Sequence, residues 1–165
     1  MLGSINLRPT TPEDEGFLID LYAGTRSDEL AFLAGDEQQK SAFVRMQYAA
    51  QRQHYLMSYP NANNSIILMN DAPVGRLIVN RGESELTLVD ISLLPEQRGL
   101  GIGTHLLKGL LHEASSTSKP VRLHVLQSNP AKKLYERLGF AIVSSDQVYC
   151  EMISTPGHNF TATKG

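Results

Sequence analysis

The stretch Leu93-Leu-Pro-Glu-Gln-Arg-Gly-Leu-Gly-Ile-Gly-Thr-His-Leu-Leu-Lys-Gly-Leu-Leu111 decides the reading of this chain. Three glycines, Gly99, Gly101 and Gly103, stand at alternate positions, and an amphipathic helix begins on them. Glycine at a helix start costs roughly 0.5–1 kcal/mol against alanine, so the chain must gain something there. One gain is an anion seat. Free N–H groups and the partial positive charge of a helix start bind anions, and glycines let the backbone approach a phosphate with no Cβ in the way. Arg98 adds a fixed positive charge. The other gain is a helix start packed closely on a sheet, a reading that Gly109 in the same helix also suits. Three glycines at this spacing beside an arginine favour the anion seat. Two common phosphate motifs fit poorly. A P-loop needs Lys-Ser/Thr after its last glycine, and Thr104-His105 follows Gly103. A dinucleotide fingerprint starting at Gly99 places its last glycine on Thr104, and the stretch from Ser115 to Val125 has no acidic residue for a ribose.

Outward from this stretch the pattern alternates between strands and helices. Glu85–Leu94 reads as a strand stopped by Pro95. The glycine helix runs to about Ser115, with Ile102, Leu106, Leu107, Leu110, Leu111 and Ala114 on its apolar face. A strand at Val121–Leu126, a short helix within Asn129–Phe140 and two strands around Ser145-Asp146 follow. Upstream, Ser4–Arg8 is a strand, and Thr11 caps a helix with Pro12 at its first position and Asp14 three residues on. Phe17, Leu18, Leu21 and Tyr22 give that helix one apolar face. A second helix from about Asp36 to Ser58 is expected to bury Ala42, Phe43, Met46, Ala49, Ala50 and Met57. Its opposite face carries Gln47, Gln51 and Tyr55, with Tyr48 beside them, and reads either as a solvated surface or as hydrogen-bonding groups for a substrate. Arg26, Asp28 and Glu29 fall in the loop between the two helices. Ser65–Met69 and Val74–Asn80 form a hairpin around Asn70-Asp71-Ala72-Pro73. The result is an α/β protein, a mixed sheet with helices against it.

Composition bounds the function. The chain has 165 residues, 41% apolar and 19% charged, which suits one globular domain, expected over residues 1–153 with a flexible tail over 154–165. A net charge of −2 advertises neither nucleic acid nor an anionic membrane as partner. Cys150 is the only cysteine, so no intrachain disulfide forms, and a small buried strand residue is expected there. The N-terminus lacks the pattern of a signal peptide, and no apolar run reaches a membrane span. These features suit a cytoplasmic protein. His54, His105, His112, His124 and His158 show no metal-ligand spacing, so no metal is expected.

Arg98-Gly-Leu-Gly-Ile-Gly103 resembles the Arg/Gln-x-x-Gly-x-Gly/Ala signature of the GNAT superfamily of acyl-CoA N-acyltransferases. The preceding Asp90-Ile-Ser-Leu-Leu-Pro-Glu-Gln97 is similar to the family's strand-Pro-Glu lead-in. Asn129-Pro-Ala-Lys-Lys-Leu-Tyr-Glu-Arg-Leu-Gly-Phe140 resembles its second motif, Asn-x-x-Ala-x-x-x-Tyr-x-x-x-Gly-Phe, with one residue fewer between the Asn and the Ala. Plain structure also accounts for most of this segment: Asn129 and Pro130 start a helix, Lys132 and Glu136 are spaced to pair on its wet side, and Gly139 ends it.

The resemblance implies a mostly antiparallel sheet of six to seven strands flanked by about four helices. It implies acetyl-CoA as co-substrate, bound where two parallel strands, Ile91–Leu94 and Arg122–Leu126, splay apart. The pyrophosphate would sit on Arg98, Gly99, Leu100, Gly101, Ile102, Gly103 and Thr104. The pantetheine arm would pair with backbone at Leu93 and Leu94, and Asn129 and Lys132 would complete the cofactor site. The acceptor would be a primary amine of a small molecule or protein, and the final strands of relatives often form dimer contacts, which leaves a homodimer open.

The chemistry asks for an acid and a base. An amine attacks the thioester, and the coenzyme leaves as a thiolate. A phenol of pKa about 10 stays protonated at neutral pH and can donate to that sulfur, the role the resemblance gives Tyr135. Backbone N–H near Leu93 would steady the oxyanion. For the base, Asp90 is an acid inside an apolar strand, and the sequence leaves it open between proton acceptor and salt-bridge partner; Glu85 lies further up the strand, and a water chain is a third option. Two other functions remain open at this level: a non-catalytic acyl-CoA-binding module, and a different nucleotide-binding protein.

Overall fold

The computed structural model describes residues 3–156. Among these the strands are β1 (Ile5–Pro9), β2 (Asn63–Met69), β3 (Ala72–Arg81), β4 (Leu86–Leu93), β5 (Val121–Leu126), β6 (Ala141–Ser145) and β7 (Tyr149–Ser154). The helices are α1 (Glu15–Thr25), α2 (Ser27–Phe32), α3 (Glu37–Ser58), α4 (Ile102–Ser116) and α5 (Ala131–Arg137), with 3-10 turns at Pro12–Asp14 and Pro95–Gln97. The strands form a seven-stranded sheet in the order β1-β2-β3-β4-β5-β7-β6, mostly antiparallel. The chain divides into two compact units. Among the described residues, one holds 3–78 with Asp90–Leu100; the other holds Val79–Val89 and 101–156.

In the first unit β1 and β2 pair antiparallel, from Ile5↔Met69 to Pro9↔Ser65. Asn70 and Asp71, at φ 50° and 69°, make the two-residue turn into β3, and these are the non-glycine types that tolerate left-handed backbone. At the start of α1 the Asp14 carboxylate accepts the Thr11 N–H at 2.8 Å and takes both Arg8 guanidinium nitrogens, at 2.9 and 2.8 Å. Leu18, Leu21 and Tyr22 of α1 pack with Val44 and Tyr48 of α3 and Ile66 of β2. Gly75 of β3 has no alternative residue, because a Cβ there would run into the Ser92 carbonyl and the Leu93 side chain.

Two expectations for this unit are corrected. The segment between the first two helices is itself helical, and Asp28 and Glu29 lie in α2. On α3 the buried face is not the Ala/Met stripe: Met46 and Met57 are 63% and 73% exposed, Ala42, Ala49 and Ala50 are exposed, and of that set only Phe43 is partly buried. Val44 and Tyr48 turn inward instead, with Gln47, Gln51 and Tyr55 half-buried. The polar ends on this inward face find partners: Tyr22 meets Tyr48 edge to face at 6.1 Å, and Gln51 accepts from Arg76 at 3.0 Å. Burial with satisfied hydrogen bonds outweighs the small apolar gain of alanines.

In the second unit β4 and β5 run parallel over Leu86↔Val121, Thr87↔Arg122 and Leu88↔Leu123, while β5 continues to Leu126 along its antiparallel ladder with β7. β6 pairs with β7, with a register shift between Ile142 and Ser144. Of the apolar face expected on α4, Ile102, Leu107, Leu110, Leu111 and Ala114 are buried and Leu106 is half-buried. Arg81 and Glu113 form a two-pronged ion pair at 2.6 and 3.0 Å. Helix α5 ends in a Schellman motif: Phe140 N–H reaches Tyr135 O, Gly139 N–H reaches Glu136 O, and Gly139 takes φ 100°. Cys150 is buried in β7. Ser154, expected to open a tail, is the buried last residue of β7; the tail from residue 157 lies outside the described residues.

Candidate active site

The glycine segment builds a helix start with nothing of its own on the end. After the Pro95–Gln97 turn, Gly99 and Gly101 adopt φ 74° and 92°, conformations that a Cβ disfavours, and Gly101 becomes the N-cap of α4. Having no side chain, it caps none of the first-turn N–H groups, and the first turn has no acidic residue. The positive end of a 15-residue helix is therefore neither capped nor neutralised by its own sequence. Gly103 lies inside the helix, and a Cβ built on it meets no atom within 4 Å; the same holds at Gly99 and Gly109. The close-packing reading of these glycines thus fails. Leu100 is exposed between them.

Arg98 is exposed but anchored. Its Nε donates to Leu93 O at 3.1 Å and its Nη2 to Gly24 O at 3.5 Å, which ties the end of β4 to the end of α1. The Leu94 N–H donates to Val74 O at 2.9 Å, so one of the two residues expected to pair with the coenzyme arm has its donor already committed.

Asp90 forms an ion pair with Arg76. Arg76 Nε and Nη2 donate to its Oδ2 at 2.9 and 2.6 Å, and Ser92 Oγ donates to the same oxygen at 3.0 Å. The pair is well buried, the Arg76 side chain 8% and the Asp90 side chain 19% exposed. Gln51 and the Tyr55 ring, 5.9 Å from the guanidinium carbon, complete the setting of Arg76. Three donor atoms thus converge on one carboxylate oxygen of Asp90.

In the second unit the Asn129 side chain accepts the Ala131 N–H at 2.9 Å and its carbonyl accepts the Lys132 N–H at 3.1 Å, so it caps the first turn of α5 as its residue type predicts. Lys132 Nζ does not pair along the helix with Glu136; it donates to Gln127 Oε1 at 3.2 Å, an oxygen that also accepts from Cys150 Sγ at 2.9 Å. Tyr135 is buried, its ring edge-to-face with Phe140 at 5.7 Å. Of the predicted site residues, the first unit holds Asp90, Leu93, Leu94, Arg98, Gly99 and Leu100; the second holds Gly101, Ile102, Gly103, Thr104, Asn129, Lys132 and Tyr135.

A charged cluster that the sequence reading missed lies on β5 and its neighbours. Arg122 sits between Glu85, at 3.0 Å, and Glu151, and Glu151 also accepts from Ser144 Oγ at 2.9 Å. Ser144 and Arg122 hold the Glu151 carboxyl below the usual carboxylate range. His124, half-exposed, brings its Nε2 to 3.9 Å from Glu151 Oε2. The period-two alternation of Val121-Arg-Leu-His-Val125 puts Arg122 and His124 on one face and was legible. Their acidic partners on β7 and ahead of β4 were not.

The first unit also has a cleft of about 340 Å³ between α1, α2 and α3, floored by Ile19, Leu30 and Val44; no predicted site residue lines it.

Residues 32–155 match the family model described as an acetyltransferase (GNAT) domain. Over 78 residues, 47% of this chain, the sequence is 33% identical to [ribosomal protein bS18]-alanine N-acetyltransferase of Haemophilus influenzae; the match covers 53% of that protein, so the chain spans about half the length of this relative. Among solved structures, the PaiA N-acetyltransferase of Thermoplasma acidophilum in complex with coenzyme A superposes with a TM-score of 0.68 at 18% identity, over 92% of this chain and 99% of that one. An acetyltransferase of Thermus thermophilus gives 0.67 at 20% identity, over 94% and 99%. At such identities the likeness shows a shared fold.

Proposed function

The chain belongs to the GNAT acetyltransferase family, and from that premise we propose that it moves the acetyl group of acetyl-CoA directly to a primary amine within a ternary complex. The observation that carries this reading is the uncapped start of α4, where Gly103 has open space in place of a Cβ and Gly99 and Gly101 hold left-handed backbone. A glycine with no packing reason, inside a helix that loses stability by it, makes sense where a ligand's phosphates approach the backbone. In this reading the pyrophosphate rests on the N–H groups of Gly101 to Thr104, and Arg98 adds its charge at the rim. Leu93 contributes its N–H to the thioester end. Asn129 and Lys132, at the start of α5, reach the coenzyme's arm. Tyr135 gives its hydroxyl proton to the leaving thiolate. Asp90 holds Arg76 and the end of β4 in place. The curated relative acetylates an alanine of a ribosomal protein, so α-amines of peptides are the first acceptors to try.

Thermal shift with acetyl-CoA, coenzyme A, ATP and NAD in parallel tests the seat. A ligand at 100 times its Kd adds about 2.7 kcal/mol, a shift of several degrees for a chain of this size. Stabilisation by the two coenzyme A forms alone supports the reading, and thiol release on adding amines then establishes transfer. Binding with no thiol release from any amine points to a non-catalytic acyl-CoA module. No shift with either coenzyme form, in folded protein freed of co-purified coenzyme, overturns the seat.

A further inference from the structure

We propose that the outer side of α3 is an interface, and that its occupant is the same helix of a second copy of this chain, packed parallel about a two-fold axis.

Gln39, Ala42, Met46, Ala49, Gln53 and Leu56 of α3 follow one another at alternating intervals of three and four residues, the a and d places of a seven-residue repeat. None carries a charge, and all six are exposed, Met46 by 63% and Leu56 by 46%. Met57, in the adjoining e place, is 73% exposed. The inward-facing Val44, Tyr48 and Gln51 fall in the c and f places, on the opposite side of the helix. The helix therefore has two uncharged faces, and among the described residues only one of them is covered. The open seam runs for about 27 Å, and burial of such a strip is stabilising.

Two features select the occupant. The first is charge. Arg45 and Arg52 hold the g places, and the e places hold Phe43, Ala50 and Met57. In a parallel pair each g residue borders an e residue of the second copy. The arginine stems then lie over Ala50 and Met57 while their charged heads stay in water. In an antiparallel pair g borders g, which sets Arg45 against Arg52 and is repulsive. The second is Gln53. Against an aliphatic ridge its amide would be buried with nothing to bond. On a two-fold axis it meets its own copy, and an amide carries both donors and an acceptor, so the pair satisfies itself. A polar residue at an a place also fixes the register. Gln39, at the end of the seam, has its Oε1 on the Asp36 N–H at 3.0 Å. Such an interface is isologous and closed, so assembly stops at the dimer. It uses neither the last strands nor any residue assigned to the coenzyme, and it stands apart from the transferase reading.

The test uses the full chain. Sedimentation equilibrium over roughly 1–300 µM is expected to show monomer and dimer in equilibrium. Met46→Asp and Gln53→Glu each bring two carboxylates together in the seam. Either is expected to raise the dimer dissociation constant by about 10²-fold or more. The melting temperature of the dilute monomer is expected to stay at the wild-type value, since both positions are exposed. With two such changes, a folding defect in one leaves the other to decide. Arg52→Glu separates the orientations: the dissociation constant stays within about threefold in a parallel pair and falls further in an antiparallel one, where Arg45 of the second copy gains an opposite charge. Gln53→Cys is expected to give a disulfide-linked dimer under mild oxidation, since a residues face their own copies in a parallel pair and the native Cys150 is buried. A chain that is monomeric throughout the range overturns the interface. So does a dimer that Met46→Asp and Gln53→Glu leave intact, which places the contact elsewhere. A dimer that Arg52→Glu tightens beyond that range, or that Gln53→Cys fails to link, overturns the parallel arrangement.

Discussion

Tyr135 and Asp90 show how far a residue type alone reaches. Both are placed by motif and position, yet the fold treats them differently. Tyr135 lies on the Phe140 ring inside a Schellman-capped helix end, a rigid mount for a hydroxyl. Tyr135→Phe removes the proton but keeps the ring packing, so stability is expected to hold within about 1 kcal/mol. kcat for thiol release is expected to fall about 10²-fold or more. Full kcat in the Phe variant, on an acceptor that the wild type acetylates, would remove Tyr135 from the mechanism. Asp90 reads in sequence as an acid in an apolar strand, which fits a base and an ion pair equally. The structure adds Arg76, fourteen residues away in the chain and 2.6 Å away in space. No local pattern announces that pairing.

Elements carry the argument about the glycines. Gly75 and Gly103 look alike in sequence, but their surroundings are opposite: at Gly75 a Cβ collides with the backbone of β4, and at Gly103 it meets open space. Gly103→Ala is therefore expected to raise the stability of the ligand-free protein by roughly 0.5–1 kcal/mol, the ordinary helix gain. On the proposed phosphate seat, the same change is expected to weaken coenzyme A binding, since the added methyl would stand where a phosphate approaches. Urea denaturation and a binding titration on one preparation read both effects. A variant that is more stable and binds as well as wild type would dissociate the glycine from the ligand. Helix α3 makes the converse point. Its spacing was legible as a helix, its buried face was not, because alanine and methionine supply a weak moment while Tyr48, Gln51 and Tyr55 turn inward only where Tyr22 and Arg76 await their polar atoms.

At the scale of the molecule the charges set the acid limit of the fold. Asp14 is held well below the usual carboxylate range by Arg8 and the Thr11 N–H, Glu113 is lowered by Arg81, Asp146 by the N–H groups of Tyr149 and Val148, and Glu151 by Ser144 and Arg122. Each is lower in the folded than in the unfolded chain, so each contributes stability that is fully present above the unfolded values near 3.9–4.3 and is lost as pH falls below them. The melting temperature is expected to be level from neutral pH to about 5 and to decline steeply below about 4. A melting temperature unchanged at about pH 3 would mean that these partners do not act on the folded state alone. The sequence by itself determined the order of strands and helices apart from the short α2, the glycine turn into α4, the cap and stop of α5, and the family, because each of these depends on neighbours within a few positions and on backbone preferences that a residue carries with it. Only the tertiary structure decided which face of α3 is buried, that Asp90 is paired with Arg76, that Arg98 is tied to Leu93 and Gly24, and that His124 and Arg122 meet Glu151. Those outcomes depend on which side chains from distant segments arrive to satisfy a buried charge or hydrogen bond, and local spacing holds no record of that.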